Sequence, residues 1–188
     1  MTPAPSAPLA PPSPWVRRFA PLAPPGAPVL DVACGSGRHM RWFAQLGHRV
    51  TGVDRDPHAL AAARAWGAVI EADIENGPWP LPGRRFGAVV VTNYLWRPLL
   101  PVLLETVALG GVLIYETFAA GNETVGKPSR ADFLLQPGEL LRACEGLRVV
   151  AYEDGFLSAP ERFVQRIVAV RPAAPPHAAP PRYALAPP

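Results

Sequence analysis

The chain has 188 residues, 26 of them proline, and a formal net charge of +3. This length suits one folded domain, predicted over residues 15–171, and the proline-rich ends predict disordered tails over residues 1–14 and 172–188. No membrane span or secretory leader is evident, so we expect a cytoplasmic protein with no membrane partner. The basic residues, all arginine except Lys127, are dispersed, which argues against a nucleic-acid partner. Two cysteines and four scattered histidines indicate neither a disulfide framework nor a metal site.

The first clear elements are a short helix or aromatic anchor near Trp15 and a buried strand at Val29–Val32. A glycine turn with Gly35 and Gly37 follows the strand. Glycine lets the backbone turn sharply and approach a ligand, and the helix that follows, at residues 38–46, begins with free N–H groups. In open α/β sheets, nucleotide-like ligands bind at such a turn. The dinucleotide fingerprint is not met, because Met40 stands where its third glycine belongs.

Acidic residues end the next two predicted strands. The strand at residues 48–54 ends in Asp54, and Asp56 with Pro57 predicts the cap of the following helix, at residues 57–66. This leaves Asp54 available for a ligand, and a carboxylate can accept both hydroxyls of a diol. Asp54 could alternatively be a helix cap itself. The third strand, at residues 68–74, contains Asp73 near its end, which could also be a solvated loop residue.

The second half of the chain predicts further strands and one insertion. A strand at residues 86–94 precedes a leucine-rich helix at 96–109, which Gly110 and Gly111 are expected to end before a strand at 112–118. A polar insertion at residues 119–136 leaves the ligand side of the sheet, so it is either a lid or an ordinary surface loop. A short helix and two β runs, at 147–157 and 162–170, complete the domain.

The pattern Asp31-x-Ala33-x-Gly35-x-Gly37 resembles motif I of the class I S-adenosylmethionine (AdoMet) methyltransferases, with Ala33 in place of the usual first glycine. The resemblance implies an α/β fold with an open, doubly wound, mostly parallel seven-stranded sheet and an antiparallel C-terminal edge. It also implies AdoMet as the cofactor and S-adenosylhomocysteine as its product.

The same resemblance implies which residues contact the cofactor. In this family the residue at Asp54 binds the ribose, the residue at Asp73 accepts from the adenine amino group, and the backbone N–H at Ile74 meets a ring nitrogen. The complete set of expected cofactor contacts is Asp31, Ala33, Cys34, Gly35, Ser36, Gly37, Asp54, Arg55, Asp73, Ile74 and Asn93.

Three further stretches, which begin at Asn93, Tyr115 and Asp132, are similar to the small bacterial tellurite-resistance-type methyltransferases. This similarity implies a small-molecule methyltransferase that acts on a soft nucleophile or an oxyanion. Such acceptors can be methylated without a general base, because catalysis then rests mainly on positioning the acceptor and excluding water. An RNA or protein methyltransferase and a non-catalytic AdoMet-binding protein remain as alternatives.

Several polar residues are candidates for the reaction itself. Glu116 is the candidate general base, although a strand-end carboxylate can also be a structural acceptor. Tyr94 could orient the substrate or pack under the ligand, and Arg38 could attract an anionic substrate or the AdoMet carboxylate. The candidate substrate contacts are Arg38, His39, Lys127 and Arg130.

Overall fold

The computed structural model of the chain describes residues 9–173 and 181–185. The helices of this part are α1 (Pro14–Phe19), α2 (Arg38–Gln45), α3 (Pro57–Ala63), α4 (Leu100–Thr106) and α5 (Glu139–Ala143). The strands are β1 (Val29–Val32), β2 (Val50–Asp54), β3 (Ala68–Glu71), β4 (Phe86–Thr92), β5 (Val107–Phe118), β6 (Arg148–Ser158) and β7 (Glu161–Val170). Short 3₁₀ turns lie at Ala20–Leu22, Arg97–Leu99, Asn122–Thr124 and Ala131–Phe133. Among the described helices, none has the length and apolar character that a membrane crossing requires.

The strands form one seven-stranded sheet in the order β3-β2-β1-β4-β5-β7-β6. Strands β1 to β5 pair in parallel, whereas β7 runs antiparallel to both β5 and β6. This topology confirms the predicted fold. Because β1 to β4 are parallel, their carboxyl ends open at one edge of the sheet, where open α/β folds bind ligands.

Both faces of the sheet are buried, which explains the nearly continuous apolar runs in the central strands. Alternate residues of β4 enter different cores: Val89 and Val91 pack on the face covered by α4 and α5, and Ala88 and Val90 on the face covered by α1, α2 and α3. The site edge therefore rests on strands with little freedom to shift.

The prediction for residues 96–111 was wrong in its boundaries. The helix ends at Thr106, and β5 begins at Val107, so that Gly110 and Gly111 lie inside the strand and do not end the helix. Gly110 has a positive φ of 74°, and a side chain at Gly111 would lie 2.9 Å from the Phe86 carbonyl oxygen. The glycines allow the strand to bend close to β4, where the pairing register shifts.

The predicted tail boundaries also need correction. Residues 9–14 belong to the described structure, with Ser13 buried as the N-cap of α1, so the folded part begins before residue 15. At the other end, Tyr183 stacks on the Arg148 guanidinium and the Leu185 carbonyl accepts from Arg18. The remainder of the predicted tails, at 1–8, 174–180 and 186–188, lies outside the described residues.

Candidate functional site

Two adjoining cavities lie at the carboxyl ends of β1 to β4. The first cavity is lined by residues that follow these four strands: Ala33, Asp54, Arg55, Ala72, Asp73, Ile74, Glu75 and Tyr94. The second cavity is lined by the glycine turn, the start of α2, the end of β4 and the N-terminal segment: Leu9, Ala10, Ala33, Cys34, Gly35, Ser36, Arg38, His39, Thr92, Asn93 and Tyr94. Both cavities share Ala33 and Tyr94, so they meet across these two residues.

The glycine turn is held in place by Asp54. Its carboxylate accepts from the Gly35 N–H at 2.8 Å and from the Asp56 N–H at 2.9 Å. Asp56 caps α3 through its own side chain, as predicted. Asp54, which was expected to be free for a ligand, already accepts these two hydrogen bonds. Each carboxylate oxygen can accept a second hydrogen bond, so Asp54 can fix the turn and still face a ligand.

Glycine is required in the turn for two different reasons. Gly35 has a positive φ of 51°, and a side chain there would meet no protein atom within 4 Å, so the space beside it is open. Gly37 caps α2 in the left-handed conformation, and a side chain there would lie 3.0 Å from Ala63. Gly37 therefore packs the turn onto α3 and does not line either cavity, contrary to its predicted contact.

Backbone strain also marks the site. In the part of the chain that the structure describes, Ala33 and Asn93 are the non-glycine residues with positive φ, at 53° and 54°. Both line the second cavity, and the Asn93 N–H donates to the Glu116 carbonyl oxygen at 2.9 Å. Strained conformations of this kind concentrate at ligand sites.

Cys34 and Ser36 occupy opposite surroundings within the turn. The Cys34 thiol is buried against Gly52 and Met40, and burial raises its pKa, so it packs as a neutral group. Ser36 is exposed at the rim of the second cavity. The turn therefore offers a ligand its backbone and the Ser36 hydroxyl.

Asp31 lies beneath the site and does not line it. Its carboxyl group is buried, one oxygen has no hydrogen-bond partner among the described residues, and burial raises its pKa to about 7. The Arg38 guanidinium opposes this rise. Arg38 itself lines the second cavity and reaches the Thr92 hydroxyl at 3.4 Å.

Asp73 lines the first cavity from a turn beyond β3, which ends earlier than predicted, at Glu71. One carboxylate oxygen accepts from the Glu75 and Asn76 N–H groups, and the other from the Asn76 side chain. The bond from the Asn76 side chain contributes most to a lowered pKa of Asp73. The aspartate thus shapes the loop that also brings Ile74 to the cavity.

Tyr94 separates the two cavities. Its hydroxyl is buried without a hydrogen-bond partner among the described residues, and burial, then Glu75 and Asp73, raise its pKa. The Tyr115 hydroxyl donates to the Tyr94 backbone oxygen at 2.8 Å, which fixes the backbone of this residue. Tyr94 therefore remains a neutral phenol, suited to donate a hydrogen bond and unsuited to remove a proton.

His39 lines the second cavity as a neutral, buried ring. Its Nε2 accepts from the Ser13 N–H at 3.2 Å, and burial, with a smaller effect of Arg38, lowers its pKa to about 3. This partner was not expected from the sequence, and neither were Leu9 and Ala10, which line the same cavity. The Ser13-Pro14 pair, a typical N-cap followed by a proline at the first helical position, was the available signal.

Glu116 does not line either cavity, contrary to its assignment as the candidate base. Its carboxylate is buried on the α1 side of the sheet, where it accepts from the Ser13 hydroxyl at 2.9 Å and from Arg166 at 3.1 Å. Arg162 lies 3.9 Å away. With these partners, Glu116 is placed as an anchor for the N-terminal segment.

The insertion does not line either cavity. Lys127 and Arg130 are exposed, and Arg130 pairs with Asp132 at 2.7 Å. The buried Asn122 side chain accepts from the Phe163 N–H and donates to the Pro128 carbonyl, which fixes the insertion to β7. The lid interpretation and the two substrate contacts assigned to Lys127 and Arg130 therefore find no counterpart in the geometry.

Residues 29–108 match the family described as a methyltransferase domain. The Ribosomal protein L11 methyltransferase of Thiobacillus denitrificans is 42% identical over 96 residues, which are 47% of this chain and 31% of that relative. The Malonyl-[acyl-carrier protein] O-methyltransferase of Serratia marcescens is 35% identical over 107 residues, which are 52% of this chain and 41% of that relative. The chain thus spans less than half the length of these curated relatives.

A solved structure extends the comparison to the whole fold. The TehB-like SAM-dependent methyltransferase from Corynebacterium glutamicum superposes with a TM-score of 0.62 at 21% identity, covering 83% of this chain and 86% of that chain. The shared region reaches well beyond residues 29–108, so the strands that follow β4 belong to the same architecture.

Proposed function

We propose that this chain, a class I AdoMet-dependent methyltransferase that resembles TehB, transfers the methyl group of AdoMet to a small molecule. The observation that carries the proposal is the pair of cavities that meet at Ala33 and Tyr94, with the glycine turn beside them. The first cavity takes the adenosine and the second takes the reacting end of the cofactor together with the acceptor.

The first cavity has the donors and acceptors that adenosine needs. Asp54 accepts the ribose hydroxyls with the lone pairs that the Gly35 and Asp56 N–H groups leave free. Asp73 and Ile74 line the same cavity and would contact the adenine ring. When bound there, AdoMet would supply an activated methyl group to the lone pair of the acceptor, with S-adenosylhomocysteine as the leaving group.

The second cavity supplies orientation and positive charge and lacks a base suited to neutral pH. Among the described residues no carboxylate lines it, Tyr94 keeps its proton, and the pKa of His39 is about 3. A group with so low a pKa removes protons poorly. The acceptor must therefore arrive as an anion or as a soft nucleophile, and Arg38 attracts negative charge to the cavity.

A small acceptor is favoured by the size of the second cavity. Leu9 and Ala10 form part of its wall, which limits the space for an acceptor beside the reacting end of the cofactor. The relatives named for a ribosomal protein and for an acyl carrier protein make a macromolecular acceptor the competing outcome.

The cofactor assignment is tested by titrating the protein with S-adenosylhomocysteine and with NAD in a calorimeter. We expect binding of the first alone. Asp54→Ala should weaken the binding tenfold to a hundredfold, about 1.5–3 kcal/mol, because a charged acceptor is lost. Asp132→Ala, which removes an exposed carboxylate from the insertion, is the control and should bind normally. Unchanged binding by Asp54→Ala would limit that residue to holding the turn.

The acceptor class is tested by incubating the protein and methyl-labelled AdoMet with a cell extract, and then separating small molecules from protein and RNA. Arg38→Gln provides the matched background. We expect label in the small-molecule fraction that depends on Arg38. Label in protein or RNA would assign a macromolecular acceptor, and no label above background would indicate an AdoMet-binding protein without turnover.

A further inference from the structure

The N-terminal segment, residues 9–13, lines part of the second cavity through Leu9 and Ala10, and Ser13 is its buried residue. Ser13 is 5% exposed and uses each of its polar groups. Its N–H donates to His39 Nε2, its hydroxyl donates to Glu116 at 2.9 Å, and its Oγ accepts from the Trp15 N–H. The attachment thus joins the helix after the glycine turn to the end of β5.

The anchor continues into the sheet. Arg166 of β7 binds Glu116 on one side and Glu153 of β6 on the other, and its guanidinium lies 4.7 Å from the centre of the Trp15 ring. Ser13 is therefore attached to a carboxylate that three strands hold in place. A bond to a buried, ionised and fixed acceptor is stronger than a bond between neutral surface groups.

Two prolines make the backbone between Ser13 and the cavity stiff. Pro11 and Pro12 fix φ near −65° and restrict the residue before each of them to extended conformations. Ser13 has the same extended backbone, with φ −52° and ψ 137°. A stiff segment anchored at Ser13 therefore determines where Leu9 and Ala10 lie, although the anchor is three residues from Ala10 and four from Leu9.

We propose that Ser13 is a positioning residue that holds Leu9 and Ala10 as a wall of the second cavity, and that this wall retains the reacting end of the cofactor beside the acceptor. The proposal rests on the proposed function, since it assigns the second cavity to that end of the cofactor. Glu116 and His39 serve the wall as its two attachment points.

The test measures the rate at which S-adenosylhomocysteine leaves the protein, by stopped-flow displacement, for the wild type and for Ser13→Ala and Ser13→Thr. Ser13→Ala loses the hydroxyl bond to Glu116, and release should accelerate about tenfold. Ser13→Thr keeps a hydroxyl at the same position and should release the product within about twofold of the wild type.

A second pair of variants separates the wall from the stability of α1. Leu9→Gly removes a wall residue and leaves Ser13 and α1 intact, so release should accelerate severalfold while the melting temperature stays unchanged. Leu185→Gly removes an exposed leucine whose contact with Arg18 uses only its backbone, and it should behave as the wild type.

The outcomes distinguish this proposal from the proposed function. Wild-type release rates in both Ser13→Ala and Leu9→Gly would overturn the wall and leave the methyltransferase function standing. Faster release in Ser13→Ala alone, together with a lower melting temperature, would also overturn it, because Ser13 would then act through α1. A wild-type protein that does not bind S-adenosylhomocysteine would overturn both.

Discussion

Two irregular segments of this domain, the N-terminal segment and the insertion at residues 119–136, are each fixed by buried polar side chains, but only the first one lines the site. Ser13 attaches the N-terminal segment to His39 and Glu116, beside the second cavity. Asn122 attaches the insertion to Phe163 of β7. In both segments, the partner of the buried polar residue determines which surface the segment covers. The polar composition of the segment and the strand that precedes it do not.

The insertion is fixed at a second point. The Arg97 guanidinium donates to the Asp132 and Leu134 carbonyl oxygens and pairs with Glu139 at 2.7 Å. Each half of the insertion thus has its own attachment, and the glycines that could have served as hinges lie between fixed ends. Within its described residues, 9–13, the N-terminal segment is attached through the side chain and N–H of Ser13, which makes it the easier of the two to release.

The largest effect is expected at the anchor of the N-terminal segment. Glu116→Ala leaves the Ser13 hydroxyl without its acceptor and Arg166 with Glu153 as its carboxylate partner, and it should lower the free energy of unfolding by about 3 kcal/mol in urea titrations. Glu116→Gln keeps an acceptor for Ser13 and should lose less. A general base would show the opposite pattern, with both variants stable and equally inactive.

Acid should weaken the N-terminal attachment, since it is the one that includes a histidine. The pKa of His39 is lowered from 6.5 to about 3 in the folded state, so the unfolded state takes up the proton first as the pH falls below 6.5. The contribution of the neutral His39 ring to the free energy of unfolding is fully present above pH 6.5 and is lost as the pH falls toward 3.

Between pH 7 and pH 5 this linkage should cost the wild type about 2 kcal/mol, from 1.36 kcal/mol for each unit below 6.5. His39→Gln keeps an acceptor without the titration. The urea-unfolding free energy should therefore fall by about 2 kcal/mol less in this variant over the same range. Parallel losses in the two proteins would mean that other groups cause the pH dependence.

A smaller loss is expected at the attachment of the insertion. Asn122→Ala leaves the Phe163 N–H and the Pro128 carbonyl without their side-chain partner, which should cost about 1–3 kcal/mol of stability. The affinity for S-adenosylhomocysteine, measured by calorimetry at a temperature where the variant is folded, should stay that of the wild type. Weakened binding of S-adenosylhomocysteine would show that the insertion contributes to the ligand site.

The smallest effect is expected when residues 123–127 are replaced by a short Gly-Ser link that keeps Asn122 and Pro128. These residues are mostly exposed, so stability and S-adenosylhomocysteine release should each change little, by about 0.5 kcal/mol or less. Release that accelerates as strongly as in Leu9→Gly would show that both segments cover the cavity.

The sequence was sufficient to predict the fold and the local geometry around the glycine turn, because these features follow local patterns. The glycine turn after β1, Asp54 at the end of β2 and the Asp56 cap are each defined within a few residues. Asp31 and Gly37 were placed in the correct motif but support the turn from behind. Whether Asp31 and Gly37 face the cavities or the interior depends on how α2 and α3 pack against the turn, which the local sequence does not specify.

The acceptor side could not be predicted in this way. Glu116 lies near the end of a strand in the manner of a catalytic carboxylate, and nothing nearby in the chain indicates that Ser13 and Arg166 bind it. The proline-rich composition of residues 9–12 is typical of a disordered tail, whereas the stiffness of proline here helps to place a wall. Contacts between distant parts of the chain decide the role of both features.

The bond between Ser13 and Glu116 joins residues that are 103 positions apart, and Arg166 lies another 50 positions further on. Contacts of such high sequence separation form late in folding, because a long stretch of chain must be ordered first. During synthesis the N-terminal segment emerges first but cannot dock until β7 has paired with β5. We therefore expect the nascent chain to complete this side of its cavity only near the end of translation, long after the glycine turn has formed.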